Sequence, residues 1–72
     1  MITAEQKLTS LADIWRDSAK RNRDSAVYWL KTAQGLKATW PEMFVFAIQR
    51  YDECNADAER DERMADSLED AI

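Results

Sequence analysis

Histidine is absent from this chain of 72 residues, and cysteine, glycine and proline occur once each. Without an imidazole base, and with Cys54 as a thiol that has no activating partner, the usual groups for acid–base and nucleophilic catalysis are missing. A single glycine cannot build a glycine-rich phosphate loop, and a structural zinc site needs several cysteine or histidine ligands. We therefore expect no enzymatic activity, no metal site and no cofactor.

Long apolar segments are also missing. No apolar run approaches the length of about 20 residues that crosses a bilayer, and residues 1–6 lack the basic and apolar regions of a signal peptide. The expected location is therefore the cytoplasm, where the lone Cys54 stays reduced, and we expect no membrane partner. A core built from so few residues is marginal for a lone chain. Helix packing or association with another chain has to supply the missing stability.

Apolar residues at helical spacing fill the first half of the chain, after a Thr-x-x-Gln capping box at Thr3 and Gln6. One helical face carries Ala4, Leu8, Leu11, Ala12, Trp15, Ala19, Ala26, Trp29, Leu30 and Ala33. Because the helical phase is kept across the polar residues 20–25, we predict one helix from about residue 3 to about residue 34. The alternative is a break near Asn22–Asp24, with Asp24 as a helix N-cap, which would give a three-helix domain.

The second half predicts another long helix, from about residue 40 to about residue 71. Thr39 and Glu42 form a second capping box, with Pro41 in the first turn, so the N-cap is either Thr39 or Trp40. Steps of three and four residues join Phe44, Ala47, Tyr51, Cys54, Ala58, Asp61, Ala65, Leu68 and Ile72. This is the spacing of a packed helical seam, interrupted at Asp61. The apolar run Met43–Ile48 alone also fits a strand, but the capping box and the spacing favour a helix.

The turn between the two helices is predicted at residues 35–39. Gly35, the only glycine, follows the last apolar residues of the first helix, where we expect a left-handed C-cap with positive φ. A connection this short makes the two helices antiparallel neighbours. The predicted fold class is therefore all-α, with residues 1–72 as a single domain formed by a hairpin of two long helices. Folding about Lys37 would place Trp29 opposite Phe44, and residues 20–23 opposite residues 52–54.

Apolar side chains next to the turn face more directions than one neighbouring helix can cover. The set that we expect to form an interface is Trp40, Phe44, Val45, Phe46 and Tyr51. Clustered aromatic residues are typical of the energetically dominant part of protein interfaces. We therefore expect the hairpin to pair with a second copy as a four-helix bundle, or to bind another protein through this set.

Charge divides between the two halves of the chain, because residues 1–40 hold seven basic and four acidic residues, and residues 41–72 hold three and ten. A possible acidic surface for a partner protein consists of Asp57, Glu59, Asp61 and Glu62. Its simpler interpretation is a solvated helix face. A possible basic contact for nucleic acid consists of Lys20, Arg21, Arg23 and Lys31. Its simpler interpretation is charge matching with the acidic half, which makes nucleic acid an unfavoured partner.

The sequence therefore favours a small non-catalytic protein that regulates or inhibits a host or regulatory protein by binding it. Size and acidity suit the small regulators that phages and mobile elements encode, which is an analogy of type. One alternative is an accessory protein that binds nucleic acid through Lys20–Arg23. Another is a structural or assembly component.

Overall fold

The computed structural model describes residues 2–72, which form two α-helices and no strand. Helix α1 spans Ala4–Leu36 and helix α2 spans Pro41–Asp70. The two helices pack along their whole length as an antiparallel hairpin with extents of 57 × 17 × 11 Å. The predicted all-α hairpin is confirmed. The three-helix alternative is wrong, because α1 continues without a break through Asn22–Asp24.

The first helix begins at the predicted capping box. The hydroxyl of Thr3 accepts a hydrogen bond from the Gln6 amide at 3.1 Å, and the Gln6 side chain accepts one from the Thr3 amide at 2.8 Å. Two backbone donors that an α-helix leaves without intrahelical partners are thereby satisfied. The Thr-x-x-Gln pattern therefore predicted both the position and the chemistry of this helix start.

The prediction of a left-handed cap at Gly35 is wrong. Gly35 lies inside the last turn of α1, and the described residues include no glycine with positive φ. The C-cap is Lys37, which is right-handed at φ −52° and ψ −43°, and its amide donates to the Ala33 carbonyl at 3.1 Å. The amides of Thr39 and Trp40 then donate to the Leu36 carbonyl at 3.2 and 2.8 Å. These bonds end the helix without a left-handed residue, so the turn makes no special use of glycine.

The prediction of a second capping box, at Thr39 and Glu42, is also wrong. Helix α2 starts from Trp40 as N-cap, with φ −149° and ψ 80°, and no side chain bonds to its first amides. The Thr39 hydroxyl instead donates to the Gly35 carbonyl at 3.3 Å. Proline disfavours the helical conformation in the residue before it, so Pro41 keeps Trp40 outside the helix and becomes the first helical residue itself.

Small residues fill the seam between the two helices. On α1 the buried residues are Ala12, Ala19, Ala26 and Ala33, at steps of seven residues. On α2 they are Ala47, Cys54, Ala58, Asp61 and Ala65. A seven-residue repeat keeps one face of a helix against its neighbour. This face carries almost only methyl groups, which allows a close approach of the two backbones, and none of its buried residues is a large apolar one.

The two helices pair a few residues away from the predicted register. Arg23 contacts Asn55 and Glu62, and not residues 52–54. Trp29 packs on Phe46, where Phe44 was expected. Since α1 runs on to Leu36, the turn is centred beyond Lys37, and each residue of α1 lies opposite a later residue of α2.

Replacing Gly35 by Ala should stabilise the protein. The backbone at Gly35 is right-handed helical, and a Cβ atom built there meets nothing within 4 Å. Alanine in a compatible helical position reduces the entropy of the unfolded chain, so Gly35→Ala should raise the free energy of unfolding by roughly 0.4–1 kcal/mol. Urea unfolding followed by circular dichroism measures this change. A loss of stability would show that residue 35 is left-handed after all.

Candidate interaction surfaces

The large apolar side chains lie outside the seam, and many of them are exposed. Ten of those in the described residues are exposed: Ile2, Leu11, Ile14, Val27, Tyr28, Trp40, Val45, Phe46, Met64 and Ile72. An aliphatic or aromatic side chain gains roughly 1.5–3 kcal/mol when it is fully buried. The hairpin alone therefore leaves much of its apolar surface available for a second contact.

The total accessible surface also indicates that the hairpin leaves area available for a second contact. The hairpin exposes 5371 Å², whereas a compact monomer of 8.4 kDa exposes about 4,600 Å² by the usual scaling with mass. The excess of roughly 750 Å² is close to the area of about 800 Å² that each partner buries in a standard protein–protein interface. One ordinary interface would bring the exposed area of this chain to the value for a compact monomer.

One side of the hairpin, which we call the tryptophan face, carries Leu8, Trp15, Asn22, Trp29 and Leu36 at seven-residue steps along α1. All five side chains are half-buried. The Trp29 ring packs edge-on against Phe46 of α2, with centroids 5.7 Å apart and planes at 86°. The guanidinium carbon of Arg50 lies 5.9 Å from the centroid of the same ring. Phe46 and Arg50 therefore extend this face onto α2.

The opposite side of the hairpin, which we call the charged edge, is held by two arginines of α1. Arg16 pairs with Glu69 and, at 3.2 Å, with Asp66, and Arg23 pairs with Glu62 at 3.1 Å. The hydrogen bond to Glu69, with the negative charge of the nearby carboxylates, raises the pKa of the Arg16 guanidinium above its ordinary value. These groups are substantially exposed, so each pair contributes little to stability. They do favour one alignment of the two helices.

A buried polar cluster lies in the middle of the seam. Asp61 is 2% exposed, and its Oδ2 atom accepts hydrogen bonds from the Ser18 hydroxyl at 2.6 Å and from the Asn22 amide at 2.9 Å. The described residues hold no fully buried side-chain polar atom without a partner. Asp61 was predicted as an interruption of the seam, but its partners Ser18 and Asn22 were not predicted. The sequence signal that could have indicated these partners was the presence of two polar residues on the seam side of α1.

The side chains of the aromatic set predicted near the turn differ in their exposure. Trp40, Val45 and Phe46 are 55%, 54% and 45% exposed, whereas Phe44 and Tyr51 are half-buried. Phe44 and Tyr51 continue the line of Ala58 and Ala65 at seven-residue steps, so they belong to the margin of the seam. Helical geometry places the neighbours Val45 and Phe46 on different sides of α2. Phe46 lies on the tryptophan face, and Val45 lies on the outer surface.

The predicted acidic set is also divided. Glu59 is exposed, Asp57 pairs with Arg60 at 3.2 Å, and Glu62 pairs with Arg23. Asp61 lies apart from these three, because it is buried in the seam. A different acidic line exists on the outer surface of α2, where Asp52, Glu59 and Asp66 follow Val45 at seven-residue steps and all four are exposed. Asp66 also pairs with Arg16, so this line ends at the charged edge. We call this line the outer acidic stripe.

The predicted basic set does not form one surface. Arg23 is engaged with Asn55 and Glu62 at the charged edge. Lys20, Arg21 and Lys31 are exposed and form no ion pair within the described residues. Asp17 and Asp24 lie on the same side of α1 as Lys31, at seven-residue steps. These acids lower the positive potential that a phosphate backbone would require.

A further surface feature within the described residues is a depression that is open to solvent. An open depression of about 650 Å³ lies at the free end of the hairpin, between residues 2–10 of the N-terminal part and Ile72. Within residues 2–72, no group of three or more His, Cys, Asp or Glu side chains is arranged to hold a metal ion. Neither of the two helices is apolar enough over a sufficient length to span a membrane.

Comparison with known proteins finds no match: no family model, no curated protein and no solved structure matches this chain.

The polar cluster generates a prediction about coupling between residues. Asn22→Ala should destabilise the protein by roughly 1–3 kcal/mol, because it leaves the buried Asp61 carboxylate with one hydrogen bond fewer. In a chain that already carries Asp61→Ala, the same substitution should have a much smaller effect. Urea unfolding of the four proteins of this double-mutant cycle gives the coupling energy. Additive effects would contradict the assignment of Asn22 as a partner of Asp61.

Proposed function

We propose that the protein is a small non-catalytic regulator that binds another protein, and that it acts as a homodimer in which two hairpins form a four-helix bundle. The observation that carries this proposal is the placement of the large apolar side chains. The seam uses alanines, and the aromatic and aliphatic residues are left on the outside. Such an arrangement suits a molecule whose large side chains contact other chains.

The surface proposed for the foreign partner lies at the turn end of α2. Trp40 and Val45 are both more than half exposed there, and Val45 is the first residue of the outer acidic stripe. Aromatic anchors surrounded by charge are the usual basis of affinity and specificity in protein interfaces. The partner that fits this surface is a protein with an apolar pocket next to a basic strip, and covering that strip would inhibit or modulate it.

The surface proposed for the homodimer is a different one. The tryptophan face lies on the side of the hairpin that carries Phe46, away from Val45 and the outer acidic stripe. A second copy on that face would bury area that a single hairpin exposes in excess. It would also leave Trp40 and Val45 open, so that dimerisation and binding of a partner need not compete.

Affinity capture from a host lysate tests the binding of a partner. Wild-type protein should retain a discrete partner in fixed stoichiometry, and the variant Trp40→Ala/Val45→Asp should lose at least about 90% of it, because the aromatic anchor is gone and a charge enters the contact. Lys31→Ala, an exposed change on the other helix, is the matched control and should capture the partner as wild type does.

Binding of nucleic acid through the basic residues would contradict this function. If nucleic acid binds to the purified protein, and Lys20→Ala/Arg21→Ala abolishes that binding while Trp40→Ala/Val45→Asp does not, the basic residues carry the activity. A gel-shift titration at several salt concentrations measures it, since binding to phosphates weakens steeply with salt.

A further inference from the structure

The tryptophan face has a symmetric sequence. Along α1, Leu8, Trp15, Asn22, Trp29 and Leu36 read the same in both directions around Asn22. Each step is seven residues, or two helical turns, so the five side chains share one face at equal spacing. At the flanking positions, Ser18 and Ser25 also place polar residues in the middle, whereas the end positions Leu11 and Thr32 differ in polarity. The apolar parts of this face are therefore two similar halves around a polar centre.

We propose that the tryptophan face binds a second copy of this chain in the opposite direction, about a two-fold axis level with Asn22. This inference rests on the proposed homodimer and specifies its geometry. A two-fold contact brings the same surface of both copies together, so it requires a surface that is complementary to itself. In this arrangement Trp15 of one copy meets Trp29 of the other, Leu8 meets Leu36, and the two Asn22 side chains lie beside the axis.

The part of α2 that borders the tryptophan face is compatible with this axis. It carries two bases and two acids, in the ion pairs Arg50–Glu53 at 2.6 Å and Asp57–Arg60 at 3.2 Å, and it is neutral as a set. Ser18 bonds to Asp61 and Arg23 to Asn55, so Asn22, which lies between them on α1, is about level with residues 56–57 of α2. From there its side chain, which leans toward the N-terminus of α1, reaches Asp61. Rotation about an axis at that level brings Glu53 of one copy opposite Arg60 of the other. Opposite charges therefore meet across the interface, and the acidic excess of α2 stays on the outer acidic stripe and the charged edge.

Two adjacent residues of α2 provide a matched test of the face. Phe46 lies on the tryptophan face and Val45 on the outer surface, and both are about half exposed. Phe46→Asp should weaken the dimer at least about 100-fold, because a charge enters the apolar contact, whereas Val45→Asp should leave its dissociation constant within about threefold of wild type. Sedimentation equilibrium measures both. Equal weakening by the two variants, or a monomeric wild type, would overturn the proposal.

Charge exchange provides a second test that leaves the aromatic packing intact. Arg60→Glu should weaken the dimer at least about fivefold, because it places like charges opposite each other twice. The double variant Glu53→Arg/Arg60→Glu should restore the wild-type dissociation constant to within about twofold, since the pairs across the interface are reversed but kept. Failure of the second change to restore association would overturn the placement of the axis.

The direction of the second copy is measured by a spin label at the turn. Ala38 is exposed in the turn, so Ala38→Cys in a Cys54→Ala background carries one label per chain. Ala38 is sixteen residues from the level of Asn22, so opposite directions place the two labels about 50 Å apart. Hairpins in the same direction would place them within about 25 Å. Dipolar spectroscopy showing the short distance would overturn the proposed orientation.

These results separate the geometry of the dimer from the function proposed above. A short distance between labels, with sedimentation still showing a dimer, would contradict the proposed orientation but not the homodimer. A protein that is monomeric at all concentrations would contradict both the orientation and the homodimer. If wild-type protein captures no partner and the label distance is long, only the proposed binding surface at Trp40 and Val45 is contradicted.

Discussion

Close packing of alanines between the two helices is the constraint on which the rest of the structure depends. Ala12, Ala19, Ala26 and Ala33 face a similarly small surface of α2, so the helices lie close together and no large residue fits between them. A buried methyl group contributes roughly 0.8 kcal/mol, compared with roughly 1.5–3 kcal/mol for a buried leucine or phenylalanine. The seam therefore defines the geometry of the hairpin but supplies only a modest part of the stability of a folded chain.

Polar contacts give this uniform seam its alignment. A repeat of alanines would pack almost equally well if one helix moved by seven residues against the other, because every buried step presents the same methyl group. Asp61 removes that freedom, since only one position brings Ser18 and Asn22 within hydrogen-bond distance. Arg16 and Arg23 act in the same sense at the charged edge. A buried polar group that fixes register at some cost in stability is a known device of helical bundles.

Most of the fold could be read from the sequence, because it follows from helical periodicity. The in-phase apolar residues predicted α1 through Asn22–Asp24, and the capping box at Thr3 predicted its start. The turn could not be read in the same way, since Gly35 is compatible with both a left-handed cap and the helical turn that it occupies. The surfaces were found only in part. Nearness to the turn put Phe44 and Val45 in one predicted interface set, but the identity of the seam residues decides which side chains stay outside.

We propose that a hairpin with an alanine seam needs a second chain to be stable. The most direct measurement is the midpoint of urea unfolding as a function of protein concentration, followed by circular dichroism. If folding and association are coupled, each tenfold rise in concentration, from about 1 to about 100 µM, should add about 1.4 kcal/mol to the apparent stability of the dimer. A cooperative transition whose midpoint does not change with concentration would show that the isolated hairpin is stable, and would contradict the account.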